Sequence, residues 1–152
     1  VRPGMSVLDL GCGSGILSIA ALLLGADRAY ACDIDPKAVD VAYENAALNG
    51  VGRDRYTVRA GDVLSDQGLR RDMGGGWDIV VANIVADVII ALAPAALDLM
   101  KPGGVFLCSG IIDQRADEVR AALEAQGFTI REANASEGWY SFLCGGPGEA
   151  QA

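Results

Sequence analysis

Histidine is absent from these 152 residues, and with it goes the commonest general base and nucleophile activator near neutral pH. Any chemistry must therefore be light on proton transfer. Lysine is scarce as well: only Lys37 and Lys101 stand among twelve basic side chains, against twenty acidic ones, for a net charge of −8. No basic patch can gather, so nucleic acid is not an expected partner; an acidic surface serves solubility equally well. There is no secretory signal and no run of about 18 apolar residues that would span a bilayer, so a cytoplasmic protein with no membrane partner is expected. The four cysteines, Cys12, Cys32, Cys108 and Cys144, lack paired metal-ligand spacing. Each lies in or beside an apolar strand, where cysteine behaves as a small hydrophobe. Neither zinc nor disulfides are expected.

Glycine, by contrast, is plentiful, and three of the twenty fall in the stretch Val7 to Gly15, Val-Leu-Asp-Leu-Gly-Cys-Gly-Ser-Gly. A short apolar strand runs there into Gly11, Gly13 and Gly15, and a helix follows at once. Such a turn brings a ligand close to the backbone, and the unpaired amides opening the helix at Ser14 to Leu17 favour an electron-rich group. A dinucleotide fingerprint would require G-x-G-x-x-G. Ile16 stands where its third glycine belongs, so pyrophosphate is disfavoured. Asp9, on the strand before the loop, would repel phosphate and attract an ammonium group directly or through water. S-adenosylmethionine carries an ammonium and no phosphate.

Along the chain, Ile16 to Leu24 reads as a helix apolar nearly all round and capped by Gly25. Ala29 to Asp33 is a second strand, and Asp35-Pro36 opens a helix running to Asn49-Gly50 with Val39, Ala42, Tyr43 and Ala46 on one face. Arg55 to Ala60 reads as a third strand, Ser65 to Gly76 as a partly helical, mobile connection, and Trp77 to Asn83 as a central fourth strand. Val88 to Met100 is helical with a kink at Pro94, Pro102-Gly103-Gly104 turns the chain, and Val105 to Ser109 is the fifth strand. Asp113 caps a helix to Gln126. Phe128 to Glu132 and Trp139 to Cys144 are joined by a link too short for a parallel crossover, so they pair antiparallel. The expected fold is α/β, a doubly wound Rossmann-like seven-stranded sheet with an antiparallel C-terminal hairpin. Residues 1–144 form one domain and 145–152 a disordered tail. Ligand should lie beyond the carboxyl ends of the strands, at the switch point beside the first.

With these residues in view, the chain resembles the class I S-adenosylmethionine-dependent methyltransferases. Asp-Leu-Gly-Cys-Gly-Ser-Gly-Ile-Leu-Ser-Ile-Ala-Ala (9 to 21), Asp-Ile-Asp-Pro-Lys-Ala-Val (33 to 39), Glu-Asn-Ala-Ala-Leu-Asn-Gly (44 to 50), Val-Val-Ala-Asn-Ile-Val-Ala (80 to 86), Lys-Pro-Gly-Gly (101 to 104) and Ser-Gly-Ile-Ile (109 to 112) are similar to the ribosomal protein L-eleven methyltransferase family. The first motifs are shared by many methyltransferases; Asn-Ile-Val-Ala with Ser-Gly-Ile-Ile is the more specific pair. The resemblance implies methyl transfer to an amine nitrogen of a protein, a ribosomal protein above all. Alternatives are another protein or a small amine as acceptor, a fold that holds the nucleoside without turnover, and, more distantly, a nicotinamide oxidoreductase. Family members carry an amino-terminal recognition domain, whereas this chain starts at Val1. It is accordingly expected to bind cofactor but to methylate folded ribosomal protein poorly by itself.

The implied cofactor contacts are Asp9 with the loop residues Gly11, Cys12, Gly13 and Gly15; Asp33 for the ribose hydroxyls; Ile34 on the adenine face; and Asp62 with the Val63 amide for the adenine edge. Asp33 is otherwise a turn residue beside the cap Asp35, and Gly61-Asp62 is also a common turn. Asn83 is the expected catalytic residue, a polar amide ending an apolar run where burial without a partner would be costly. Its side-chain carbonyl would accept a proton from the incoming amine; the alternative is a cap for the helix near Ala86.

Overall fold

The computed structural model describes residues 1–147. Strands β1 (Ser6–Leu10), β2 (Arg28–Asp33), β3 (Tyr56–Ala60), β4 (Trp77–Asn83), β5 (Met100–Ile112), β6 (Thr129–Ser136) and β7 (Trp139–Gly145) are joined by helices α1 (Ile16–Leu23), α2 (Pro36–Leu48), α3 (Gln67–Met73), α4 (Ala86–Leu99) and α5 (Ala116–Ala125). The strands form one seven-stranded sheet in the order β3-β2-β1-β4-β5-β7-β6. Neighbours from β3 to β5 pair in parallel, and β7 runs antiparallel to both β5 and β6. This is the doubly wound sheet with an antiparallel hairpin that the order of elements predicts.

Strand alternation sorts the apolar side chains into two cores. Leu8, Leu10, Val80 and Phe106 pack beneath α3, α4 and α5. Val7, Ala29, Ala31 and Val58 pack beneath α1 and α2. On that second face α1 and α2 do not reach across the whole sheet: a groove of about 750 Å³ remains beside α1, floored by Ile79, Val81, Val105, Leu107 and Leu143.

Several expected boundaries move, for identifiable reasons. Helix α1 is not buried all round: Ile19 and Leu22 are inside, but Ile16, Leu23 and Leu24 are 69%, 58% and 70% exposed, because only one side of the helix meets the sheet. The connection from Ser65 to Gly76 contains α3, capped by the Asp66 carboxylate accepting from the Leu69 amide and anchored by buried Leu69 and Met73. Strand β5 begins at Met100, earlier than expected, because Pro102-Gly103-Gly104 forms a bulge rather than a full turn: Trp77 pairs with Met100, and then Ile79 with Val105. Asp113 opens a 3₁₀ turn (Asp113–Arg115) ahead of α5 instead of capping it. Strand β6 runs on to Ser136, leaving only Glu137 and Gly138 as the hairpin turn, both at positive φ (52° and 84°) as a two-residue reverse turn requires. The expected tail is corrected at Gly145, which ends β7 paired with Val105 and Thr129; residues 148–152 lie outside the described residues. Among the described residues no helix is long and apolar enough to cross a membrane, and no cluster of His, Cys, Asp and Glu is suited to a metal ion.

Candidate active site

The carboxyl ends of β1 to β4 open onto a cleft of about 510 Å³, closed on one side by the first turns of α4. It lies where the chain, having wound outward from β1 to β3, returns to β4 on the other side of β1, which is where a doubly wound sheet leaves a crevice. Gly11, Asp33, Ile34, Asp62 and Val63 all line it, so five of the sequence-predicted residues converge. The walls are mostly apolar, and neither lysine nor arginine lines them.

Asp33 ends β2 and ties the rim together. One carboxylate oxygen accepts from the Gly13 amide at 2.8 Å and the other from the Asp35 amide at 2.9 Å, so the residue fixes the glycine loop and the entry to α2 at once. Asp35 then caps α2 through the Lys37 amide, followed by Pro36 in the first helical turn. Asp62 serves as a turn residue and a wall residue together: one of its carboxylate oxygens accepts from the Leu64 amide at 3.0 Å while the side chain borders the cleft. Ile34, 71% exposed, stands at the rim.

The loop from Gly11 to Gly15 is held from beneath. The amides of Gly11 and Cys12 both donate to the Cys32 carbonyl, and the Gly15 amide donates to the Cys12 carbonyl. The opening amides of α1 have no intrahelical acceptor, and Gly15, the N-cap at φ 84°, has no side chain to offer. Asp9, Cys12, Gly13, Gly15 and Asn83 do not line the cleft. Leu10 faces it, and Asp9, one residue earlier on β1, points to the opposite face of the sheet and is 1% exposed. One Asp9 carboxylate oxygen has no hydrogen-bond partner. Burial pushes its carboxyl up to about 6, assisted by the negative charge of Asp33 and held back by the Ser18 hydroxyl and amide. Cys12 is buried in the second core, where burial and the charges of Asp9 and Asp33 push its thiol up to about 12. It is a packing residue kept protonated, contributing its backbone to the loop.

Asn83 departs from expectation in one respect. As the last residue of β4 it has left the core and is exposed, so the cost of burial does not apply to it. Its side-chain oxygen accepts from the Ser109 hydroxyl at 3.2 Å. It does not cap α4, whose N-cap is Val85 with no side-chain hydrogen bond. Gly110 lies so close that a Cβ there would stand 2.7 Å from the Asn83 oxygen. Asn-Ile-Val-Ala and Ser-Gly-Ile-Ile, separate in sequence, therefore meet at the ends of neighbouring strands.

Sequence reasoning missed the α4 side of the cleft, formed by Ile84, Val85, Val88, Ala91 and Leu92. The spacing of Val88, Ala91 and Leu92 was the available signal, since residues three and four apart share a helix face.

The model of the ribosomal protein L11 methyltransferase family (PrmA) matches residues 1–145. A ribosomal protein L11 methyltransferase of Heliobacterium modesticaldum is 50% identical over 137 residues, covering 90% of this chain and 41% of that protein. Another, from Pelotomaculum thermopropionicum, is 49% identical over 140 residues, covering 91% and 43%. The crystal structure of a ribosomal protein L11 methylase from Lactobacillus delbrueckii subsp. bulgaricus superposes with a TM-score of 0.86 at 32% identity, covering 97% of this chain and 72% of that one. The chain spans less than half the length of the curated relatives it matches. With the family model matched from end to end of the sheet, the chain belongs to the ribosomal protein L11 methyltransferase family.

Proposed function

We propose that this chain is a class I methyltransferase domain that takes S-adenosylmethionine as its methyl donor and a ribosomal protein amine as acceptor, L11 being the protein named for its relatives. The observation that carries the reading is the character of the cleft: acidic acceptors at Asp33 and Asp62, apolar walls, and no cation. That combination suits a ligand with a flat base, hydroxyls and an ammonium, and opposes one with phosphates. The cleft volume falls in the range of small-molecule sites.

In this reading Asp33 accepts from the ribose hydroxyls, Ile34 and Val63 flank the adenine, and Asp62 accepts at its edge. The donor, when bound, supplies a methyl group already activated on a sulfonium. What remains for the chain is to align the acceptor, exclude water and take up the amine's hydrogen bond. In this reading the Asn83 side-chain oxygen, exposed at the end of β4 next to the cleft residue Ile84, accepts from that amine. A lysine amine must first lose a proton, at a cost of about 4.6 kcal/mol at neutral pH, and an α-amine costs far less. Desolvation of the ammonium against Val85 and Val88, both exposed at the cleft, favours the neutral form without a histidine.

The test pairs calorimetric titration with S-adenosylhomocysteine and NAD with a radiolabelled transfer assay on ribosomal protein L11. S-adenosylhomocysteine should bind and NAD should not. Asp33→Ala should weaken S-adenosylhomocysteine by about 2 kcal/mol, the loss of a charged acceptor. NAD binding without S-adenosylhomocysteine binding would overturn the cofactor; binding with no label on L11 would overturn the acceptor.

A further inference from the structure

Behind the glycine loop, away from the cleft, lies a buried pair of hydroxyls whose link to each other none of the contacts above employs. Tyr56 opens β3 and is 1% exposed; Ser18, in the first turn of α1, is fully buried. Their oxygens are 2.7 Å apart, and the Ser18 hydroxyl donates to the Gly15 carbonyl at 3.2 Å. A Cβ on Gly15 would stand 2.7 Å from the Tyr56 oxygen, so the phenol fills the space that a side chain at the last loop position would need. Tyr56 is itself braced by the edge of the Tyr43 ring at 6.1 Å, and the Tyr43 hydroxyl is fixed by the Val58 amide at 2.8 Å. Burial raises the Tyr56 phenol above its ordinary value, so it keeps its proton. The Gly15 carbonyl and the Asp9 carboxylate beside Ser18 can only accept, so the single Ser18 proton goes to them and Tyr56 is the donor between the two hydroxyls. The hydrogen bonds therefore run in one direction, from β3 through α1 to the loop.

We propose that Tyr56, acting through Ser18, is a positioning residue for the cofactor loop, pinning the Gly15 carbonyl and holding the Ser18 hydroxyl and amide beside Asp9. The proposal rests on the cleft being the S-adenosylmethionine site. A loop whose glycines can adopt many conformations gains affinity for a ligand when one conformation is fixed in advance. Tyr56 does this from a different strand, without touching the ligand.

The decisive variant is Tyr56→Phe, which deletes one oxygen and keeps the ring. In the ligand-free chain, hydrogen exchange should quicken at least fivefold at the Gly15 and Ile19 amides, which bond to the Cys12 and Gly15 carbonyls, while amides of β4 and β5 keep their protection. Affinity for S-adenosylhomocysteine should fall about fivefold, in keeping with one lost hydrogen bond. In transfer assays KM for S-adenosylmethionine should rise by a similar factor with kcat at saturation within twofold. Ser18→Ala should reproduce these effects, and the double variant should lose no more than the larger single one, because both act in one chain of bonds. A folded Tyr56→Phe protein with wild-type loop exchange and wild-type affinity overturns the proposal while leaving the cofactor reading intact. If Tyr56→Phe does not fold, Ser18→Ala decides by the same measurements. A wild-type chain that fails to bind S-adenosylhomocysteine ends the cofactor reading and this proposal with it.

Discussion

Asp9 is buried with one carboxylate oxygen unpartnered, and its carboxyl is pushed up from 3.8 to about 6. A carboxyl whose folded value exceeds its unfolded one contributes stability below the unfolded value and loses it as pH rises through the folded one. In the ligand-free chain, ionised Asp9 should therefore cost about 3 kcal/mol above pH 6. Asp9→Asn should flatten the pH dependence of denaturant unfolding between pH 4 and 7 and make the chain more stable than wild type at pH 7.5, by about 2 kcal/mol. The same variant should bind S-adenosylhomocysteine more weakly, having lost the negative charge beneath the loop. Lower stability at pH 7.5 would mean that Ser18 repays the burial of this charge in full. Residues of this kind were only partly legible. Asp33 and Asp62 announce themselves as acids where apolar strands end, and both line the cleft. Tyr56 looks in sequence like any aromatic residue opening a strand, and only the packing of three elements reveals what its hydroxyl meets.

At the scale of elements, the informative junction is where β4 and β5 end side by side, Asn83 paired with Ser109. Asn83→Ala should retain affinity for S-adenosylhomocysteine within a few-fold and lose methyl transfer, since its partner in the proposed reaction is the amine. Equal loss of both, measured by calorimetry and initial rates, would make Asn83 a structural residue. Gly110 occupies φ 81°, and a Cβ there would press on the Asn83 oxygen at 2.7 Å. Gly110→Ala should thus cost about 1 kcal/mol or more in thermal unfolding and should also slow transfer by displacing Asn83. An unchanged rate in a folded Gly110→Ala protein would detach that glycine from the site. Element types were well marked because apolar runs and Gly or Pro punctuation coincide along most of the chain. They failed where that coincidence breaks. Strand β6 beyond Glu132 carries Ala133, Asn134, Ala135 and Ser136, all exposed; an edge strand with no buried face needs no apolar alternation and reads as a link.

For the molecule as a whole, sheet order was legible in outline, since successive βα units wind a parallel sheet by right-handed crossovers and a short final link forces an antiparallel pair. What the pattern could not show is coverage. The groove beside α1 is floored by Ile79, Val81, Val105, Leu107 and Leu143, residues that in sequence look as deeply buried as their neighbours. Leu107, 36% exposed, marks the difference. Leu107→Ala should cost under about 2 kcal/mol in chemical denaturation, whereas Phe106→Ala on the fully covered face should cost about 3 to 5 kcal/mol. Similar losses at both positions would show the groove to be better filled in solution than its open floor suggests.

The place of β7 between β5 and β6 also bears on the order in which the chain folds. Five parallel strands can pair as they emerge during synthesis, but among the described residues β6 has no neighbour except β7, and β7 follows every other described strand in the chain. Until it does, the outer edge of β5 presents unpaired amides and carbonyls, and Phe142 and Cys144 have not yet completed the core. A nascent chain stalled before Trp139 therefore carries an open β-edge of the kind that recruits other strands. Closure comes when the turn at Glu137 and Gly138 folds the hairpin back and zips both ladders together, so the sheet is sealed only once β7 has joined it.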